Sequence, residues 1–325
     1  MIVETHGLSR MYGGTVALNQ LNLTIPQGAI YGFIGPNGAG KTTTMRILTT
    51  LLLPSSGEAF VAGHSVVQER AAVRRQVGFM PDFFGVYDSM QAVEYLDFFA
   101  AAYGIAPDRR PRLINDLLAL VDLGHKRHAE VMSLSRGMKQ RLSLARTMLH
   151  DPALLILDEP ASGLDPRARV ELRELLKELC SMGKTIMISS HILTELAEMC
   201  THIGIIERGN LLASGDVATI LRSLQPHRSF ELQLLPAEGQ SLAAALDAAV
   251  ALLLNQPHVV AARAVVEAKL PHVLLDTDGD DRTVSTLLTQ LVTAGVAVTH
   301  FAAQVSDLEE VFMRVTDGSA SSGVL

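Results

Sequence analysis

The chain has 325 residues, of which 48% are apolar and 19% charged, and its formal net charge is -7. That composition is ordinary for a folded globular protein, and the length exceeds one comfortable core, so two domains are expected. The acidic balance argues against nucleic acid as the main partner, because phosphate-binding surfaces are usually basic. The charge is uneven: residues 1–220 hold 21 basic and 22 acidic side chains, residues 221–325 hold 6 and 12. This shift places a boundary near 220. Cys180 and Cys200 lack metal-type spacing and read as small apolar residues within helices, in a reducing compartment. No signal peptide is visible at the N-terminus. The apolar run 242–254 is broken by Asp247 and too short to span a bilayer, so any membrane role would come through a partner.

Short strands are expected at 2–5, 21–25 and 29–34, and Tyr12 falls in a loop between Arg10 and Gly14. The stretch Gly35-Pro36-Asn37-Gly38-Ala39-Gly40-Lys41-Thr42 fits G-x-x-x-x-G-K-[ST]. It follows the apolar run 30–34 and precedes a helical segment, 43–53, with no breaker before Pro54. In that setting, consecutive backbone N–H groups can turn inward around a polyphosphate, and a helix N-terminus adds partial positive charge. Gly35, Asn37, Gly38, Gly40 and Thr43 belong to this cradle. Lys41 would reach the β- and γ-phosphates, and the Thr42 hydroxyl would ligate Mg²⁺. A glycine-rich turn that binds nothing is the bland alternative, and it does not require a strand before and a helix after.

Further strands are expected at 57–62 and 77–80, the second ended by Pro81. A mostly helical stretch, 89–122, is interrupted at 104–111. Strand-type runs return at 154–157, 185–189, 203–206 and 211–213, with helical patterns between the first three. Such alternation predicts an α/β domain with a largely parallel sheet, into which the helical stretch is inserted. Beyond 225 the pattern resets to strand 230–235, helix 241–254, strands 259–267 and 272–277, helix 281–294 and strand 296–301. The order β-α-β-β-α-β predicts a small split βαβ sandwich, an α+β fold of ferredoxin-like type. Leu308, Val311, Phe312 and Val315 mark a closing amphipathic helix, and 319–325 reads as a flexible tail.

Chemistry is concentrated at three further places. Leu154-Leu155-Ile156-Leu157-Asp158-Glu159 is an apolar strand ending in two carboxylates at the sheet edge where α/β proteins bind ligands. Asp158 would orient Mg²⁺, and Glu159 would polarise a water for in-line attack on the γ-phosphate. An Asp-Glu-Pro that merely ends a strand is the competing reading, weakened by the glycine loop upstream. Ser135, in Leu134-Ser135-Arg136-Gly137-Met138-Lys139-Gln140-Arg141, stands where a helix N-cap would, and the same spot suits a phosphate. Both readings of Ser135 stay open. His191 follows the strand 185–189 at the same sheet edge as Asp158, and only that placement raises it above an ordinary solvated histidine.

These residues, in this order, resemble the ATPase subunit of an ABC transporter over residues 1 to about 220. The glycine loop is similar to the family's Walker A and 154–159 to its Walker B. Residues 134–141 resemble its signature, Ser162-Gly163-Leu164-Asp165 its D-loop, and His191 its switch histidine. The resemblance implies a P-loop ATPase domain, 1–220, with a helical subdomain at about 83–150. An accessory domain would follow at 225–318. It further implies ATP and Mg²⁺ as ligands, with Tyr12 stacking on adenine. Two subunits would close head to tail, so that Ser135, Gly137 and Asp165 of one serve the nucleotide held by Lys41 of the other. The second subunit would be another copy of this chain, and a membrane permease would hold both at the cytoplasmic face of the cell membrane.

Two positions depart from the family pattern. Arg136 and Met138 replace a Gly and the Gln of L-S-G-G-Q, while Ser135 and Gly137 are kept. At the Q-loop, Met80-Pro81-Asp82 offers Asp82 as a further Mg²⁺ contact, against the reading of Asp82 as a turn cap. Variants of both kinds resemble exporter-type ATPases paired with a separately encoded permease. Seven of the fifteen aromatic residues lie between Phe83 and Tyr103. Tyr95, Phe98 and Phe99 read as the core of the helical insertion, and Phe83, Phe84 and Tyr87 as the lining of a groove for a permease helix. The expected function is ATP hydrolysis driving export. One alternative is a soluble ABC-type ATPase outside transport, disfavoured by a single cassette without a heptad insertion. Another is a weakly hydrolysing ATP-gated binding module, kept open by the altered signature.

Overall fold

Ile30-Tyr31-Gly32-Phe33-Ile34 has no polar side chain except the Tyr31 hydroxyl, and such an uninterrupted run is stable only where both faces of a strand are covered. The structure, a computed structural model, buries Ile30–Ile34 along its whole length near the middle of a six-stranded sheet. It describes residues 1–82, 85, 89–224, 227–266 and 270–303. The chain divides into two compact units, Met1–Ile220 and Leu221–Leu325.

In the first unit the sheet order is Asn210–Asp216, His202–Glu207, Ile30–Ile34, Thr185–Ser190, Leu154–Leu157, Val77–Met80. Only the first pair is antiparallel; every other neighbour is parallel. Parallel neighbours bring their carboxyl ends to one edge, so residues 35–42, 81–82, 158–159 and 191 all follow strands at that edge. Helices Pro166–Ser181 and Leu193–Ala197 pack on the two central strands.

A second, antiparallel sheet in this unit was not anticipated. Val3–Tyr12 pairs with Thr15–Leu21 on one side and with Ser56–Val61 on the other. Tyr12 is therefore not in a loop: it ends a ten-residue strand and pairs with Thr15 across Gly13-Gly14. The alternation that would announce this strand is broken by register shifts at Leu8, Arg10 and Met11, which blur the period of two. The expected strand 21–25 is two pieces, Thr15–Leu21 and Thr24–Ile25. The helix expected at 43–53 runs over Lys41–Leu48, because the chain leaves the helix at Thr49 and Thr50 takes φ +63°.

The helical stretch forms Ala92–Ala102, Arg110–Leu120 and Arg136–Met148, packed on one another. Tyr95 is fully buried, but Phe98 is 46% exposed and does not belong to that core. Phe99 meets Tyr95 at 5.0 Å and Phe98 at 5.2 Å, both edge-on, so Phe98 packs against the outside of that pair. Phe83, Phe84 and Tyr87 lie outside the described residues. Cys180 lies in Pro166–Ser181 as expected, whereas Cys200 is beyond the end of Leu193–Ala197. Burial pushes the Cys200 thiol up to about 12.

The second unit has a four-stranded antiparallel sheet in the order Val259–Val265, His272–Thr277, Arg228–Leu235, Ala297–Ala303. Helices Leu242–Leu254 and Asp281–Thr293 complete the β-α-β-β-α-β succession. Their buried Leu246, Ala249, Leu253, Leu287 and Leu291 close one core with Phe230, Leu232, Val273 and Leu275 from alternate strand positions. The closing helix expected at Leu308, Val311, Phe312 and Val315 lies outside the described residues. Among the described residues, no helix is long and apolar enough to cross a membrane.

Candidate functional site

The glycine loop turns where side chains will not fit. A Cβ on Gly35 would collide with the Ile206 carbonyl. Gly40, at φ +115°, caps the helix Lys41–Leu48 with no side-chain hydrogen bond, and a Cβ there would come within 2.8 Å of Ala17 O. The loop thus leaves the first N–H groups of a helix facing a cavity, an arrangement that favours an anion. That cavity is about 220 Å³ and is lined by Ala17, Asn37, Gly38, Gly40, Lys41, Thr42, Thr43, Asp82, Asp158 and Glu159. Whole small-molecule pockets run to roughly 300–1,000 Å³, so this one suits the phosphate end of a nucleotide.

Lys41 is 6% exposed, and its Nζ donates to Gly35 O at 2.6 Å and Pro36 O at 3.3 Å. It lies 3.6 Å from Glu159 Oε1. Burial pushes the Lys41 ammonium below the usual lysine value, and the Glu159 carboxylate opposes that shift. An ammonium so placed is ready to exchange carbonyl partners for phosphate oxygens. The Thr42 hydroxyl donates to Asp158 Oδ2 at 2.9 Å, joining residues 116 apart in sequence. Asp158 is buried and accepts a second bond from Ser189 Oγ at 2.6 Å.

Glu159 adopts φ +50°, a left-handed conformation that costs a residue with a Cβ on the order of 1–3 kcal/mol. Its N–H donates to Ser189 Oγ at 2.8 Å, and its Oε2 lies 3.1 Å from His191 Nδ1. Ser189 therefore holds both carboxylate residues at once, a role the sequence reading did not assign. Its position one residue before the end of Thr185–Ser190, beside Leu154–Leu157, was the available signal.

The remaining residues fall in two groups. Ser135 caps the helix Arg136–Met148, accepting from Met138 N at 3.3 Å, and Asp165 caps Pro166–Ser181, accepting from Ala168 N at 2.9 Å. Both line a second cavity of about 240 Å³ with Gly137, separate from the one at Lys41. Tyr12 is 45% exposed with the Arg10 guanidinium 4.7 Å from its ring centre, and it lines neither cavity. Within one chain the expected residues thus fall at two separate cavities, with Tyr12 at neither.

For Mg²⁺, Thr42 and Asp158 supply hard oxygen donors already in contact, with Asp82 on the same cavity wall. Among the described residues, no group of three or more His, Cys, Asp or Glu could hold a metal alone. The donor set fits a cation shared with phosphate oxygens.

The ABC transporter family profile matches residues 18–162. The bacitracin transport ATP-binding protein BcrA of Bacillus licheniformis is 42% identical over 212 residues, covering 65% of this chain and 68% of that protein. The daunorubicin/doxorubicin resistance ATP-binding protein DrrA of Streptomyces peucetius is 32% identical over 317 residues, covering 97% and 92%. A solved structure described as the ATP-binding subunit of an ABC transporter superposes with a TM-score of 0.62 at 30% identity, covering 69% of this chain and 93% of that one. The first unit is a P-loop ATPase fold, and the chain belongs to the ABC transporter family. Within the family it is one of the ATP-binding subunits, which hydrolyse ATP.

Proposed function

We propose that this chain powers export of a substrate through a separate membrane permease, by binding and hydrolysing ATP as a head-to-tail homodimer. The observation that carries the reading is the juxtaposition of Lys41, Thr42, Asp158 and Glu159 around one cavity at a helix start. Gly38, Gly40, Lys41 and Thr43 hold the phosphates. Thr42, Asp158 and Asp82 hold Mg²⁺, which neutralises charge on the phosphate oxygens. Glu159 takes a proton from the attacking water, and His191, 3.1 Å from Glu159 Oε2, fixes the carboxylate. Tyr12 stacks on adenine. Ser135, Gly137 and Asp165 complete the partner's site, which explains why they stand apart from Lys41 within one chain. Residues 225–318 are an accessory domain that supports dimerisation or coupling. The chain is peripheral, held at the cytoplasmic face by the permease.

The name of a relative 37% identical over 214 residues, a Nod factor export ATP-binding protein of Cupriavidus metallidurans, supports export as the direction. ATP turnover by the purified chain, with and without its co-purified membrane partner, tests the reading. Turnover that Lys41→Ala abolishes is expected; a chain that neither binds nor hydrolyses ATP would overturn it.

A further inference from the structure

The backbone turn that carries Glu159 is braced from outside the phosphate cavity. At φ +50° Glu159 is held by its surroundings rather than by its own preference. Its N–H is held by Ser189 Oγ, and its carbonyl accepts from Ser162 N at 3.1 Å. The next residue is Pro160, whose peptide offers no N–H and only a carbonyl. That carbonyl accepts from Gln140 Nε2 at 2.7 Å. Gln140 lies on Arg136–Met148, the helix that Ser135 caps. Arg136, four residues earlier on the same helix face, lies over Gly163, where a Cβ would run into its guanidinium. One face of the helix start is therefore laid along residues 160–163.

We propose that Gln140 is a positioning residue for Glu159, fixing through the Pro160 carbonyl the strained turn that aims the carboxylate into the cavity. The proposal rests on Glu159 being the base of ATP hydrolysis. Gln140 shares a helix with Ser135 and Gly137, so a displacement of that helix reaches the Glu159 turn of the same chain. In a head-to-tail dimer the helix start meets the partner's nucleotide while Glu159 meets the chain's own. Gln140 then connects the two sites.

Three variants of the full chain test this. Gln140→Ala removes the donor, Gln140→Glu keeps the shape but turns an acceptor toward the carbonyl, and Gln140→Lys keeps a donor. In the Ala and Glu variants kcat for ATP falls roughly ten- to a hundredfold, while KM and equilibrium binding of AMP-PNP stay within about twofold. The Lys variant recovers much of the loss. Amide hydrogen exchange without nucleotide is faster over 158–164 in the Ala and Glu variants and unchanged over 36–44. That readout needs no turnover, so it decides the brace even if the wild type proves inactive, an outcome that would instead overturn the function proposed above. Unchanged exchange over 158–164 overturns the brace, as does a loss of AMP-PNP binding in step with kcat.

Discussion

His191 Nδ1 lies 3.1 Å from Glu159 Oε2, and the two residues follow neighbouring parallel strands. The contact leaves Glu159 with a cation-capable partner on each oxygen, since Lys41 stands 3.6 Å from the other. A base held on both sides is oriented before substrate arrives, which is worth more to the chemical step than to binding. His191→Ala should lower kcat by roughly 10²–10⁴-fold and change ATP binding little. Comparable losses in binding and turnover, measured by equilibrium binding beside steady-state rates, would remove His191 from the chemistry.

Asp82 lines the phosphate cavity with Thr42 and Asp158, and also borders a larger cleft of about 670 Å³ that includes Arg46, Phe79 and Arg146. A carboxylate beside a hard cation should contribute to its affinity. ATPase rate against Mg²⁺ concentration is therefore predicted to need more Mg²⁺ for half-maximal rate in Asp82→Ala, with Asp82→Gln recovering much of the loss. Superimposable curves for wild type and Asp82→Ala would leave Asp82 a turn residue.

The glycines of the loop are not equivalent. Gly40→Ala combines φ +115° with a collision against Leu18 and Ala17, and Gly35→Ala runs into backbone. Gly38→Ala meets nothing within 4 Å and suffers only its φ of +82°, whereas Gly14→Ala has open space and no positive φ. Thermal denaturation should rank the losses Gly40 and Gly35 above Gly38, with Gly38 costing about 1–3 kcal/mol and Gly14 near zero. A Gly40→Ala protein as stable as Gly14→Ala would contradict the packing described for the loop.

Strands whose burial is two-sided were legible: Val77–Met80 and Leu154–Leu157 have the bounds that their apolar runs predict. Val3–Tyr12 was legible only at its start, within the strand expected at 2–5, because its bulged register mixes exposed and buried positions further along. Lys41, Thr42, Asp158 and Glu159 could be named from spacing, since a glycine loop and a strand-end carboxylate pair carry their own context. Ser189 and Gln140 could not. Each acts by meeting a segment 20 or more residues away, Ser189 at Asp158 and Glu159, Gln140 at Pro160, and neither contact leaves a local pattern. Helix ends were missed for a similar reason: Thr50 stops the first helix by a backbone conformation that no Gly or Pro announces.

The second unit has its own core, and the residues lining the two cavities described above belong to the first unit. A chain ending near Leu221 is expected to fold, to bind ATP as the full chain does, and to dimerise or couple to the permease less well. Circular dichroism and nucleotide binding on the truncated chain check this. Loss of ATP binding in a folded truncation would assign the second unit a part in the site itself.

Glu159 acting as the base, in a nucleotide site closed by a second copy, is the central step of the proposed function. Glu159→Gln keeps the size and the φ of the residue while removing the proton acceptor. Light scattering coupled to size exclusion, with ATP and Mg²⁺ present, is the direct measurement. The variant should run as a dimer retaining two unhydrolysed ATP, with turnover roughly 10²–10⁴-fold below wild type. A monomer in saturating ATP, or turnover at the wild-type rate, would contradict it.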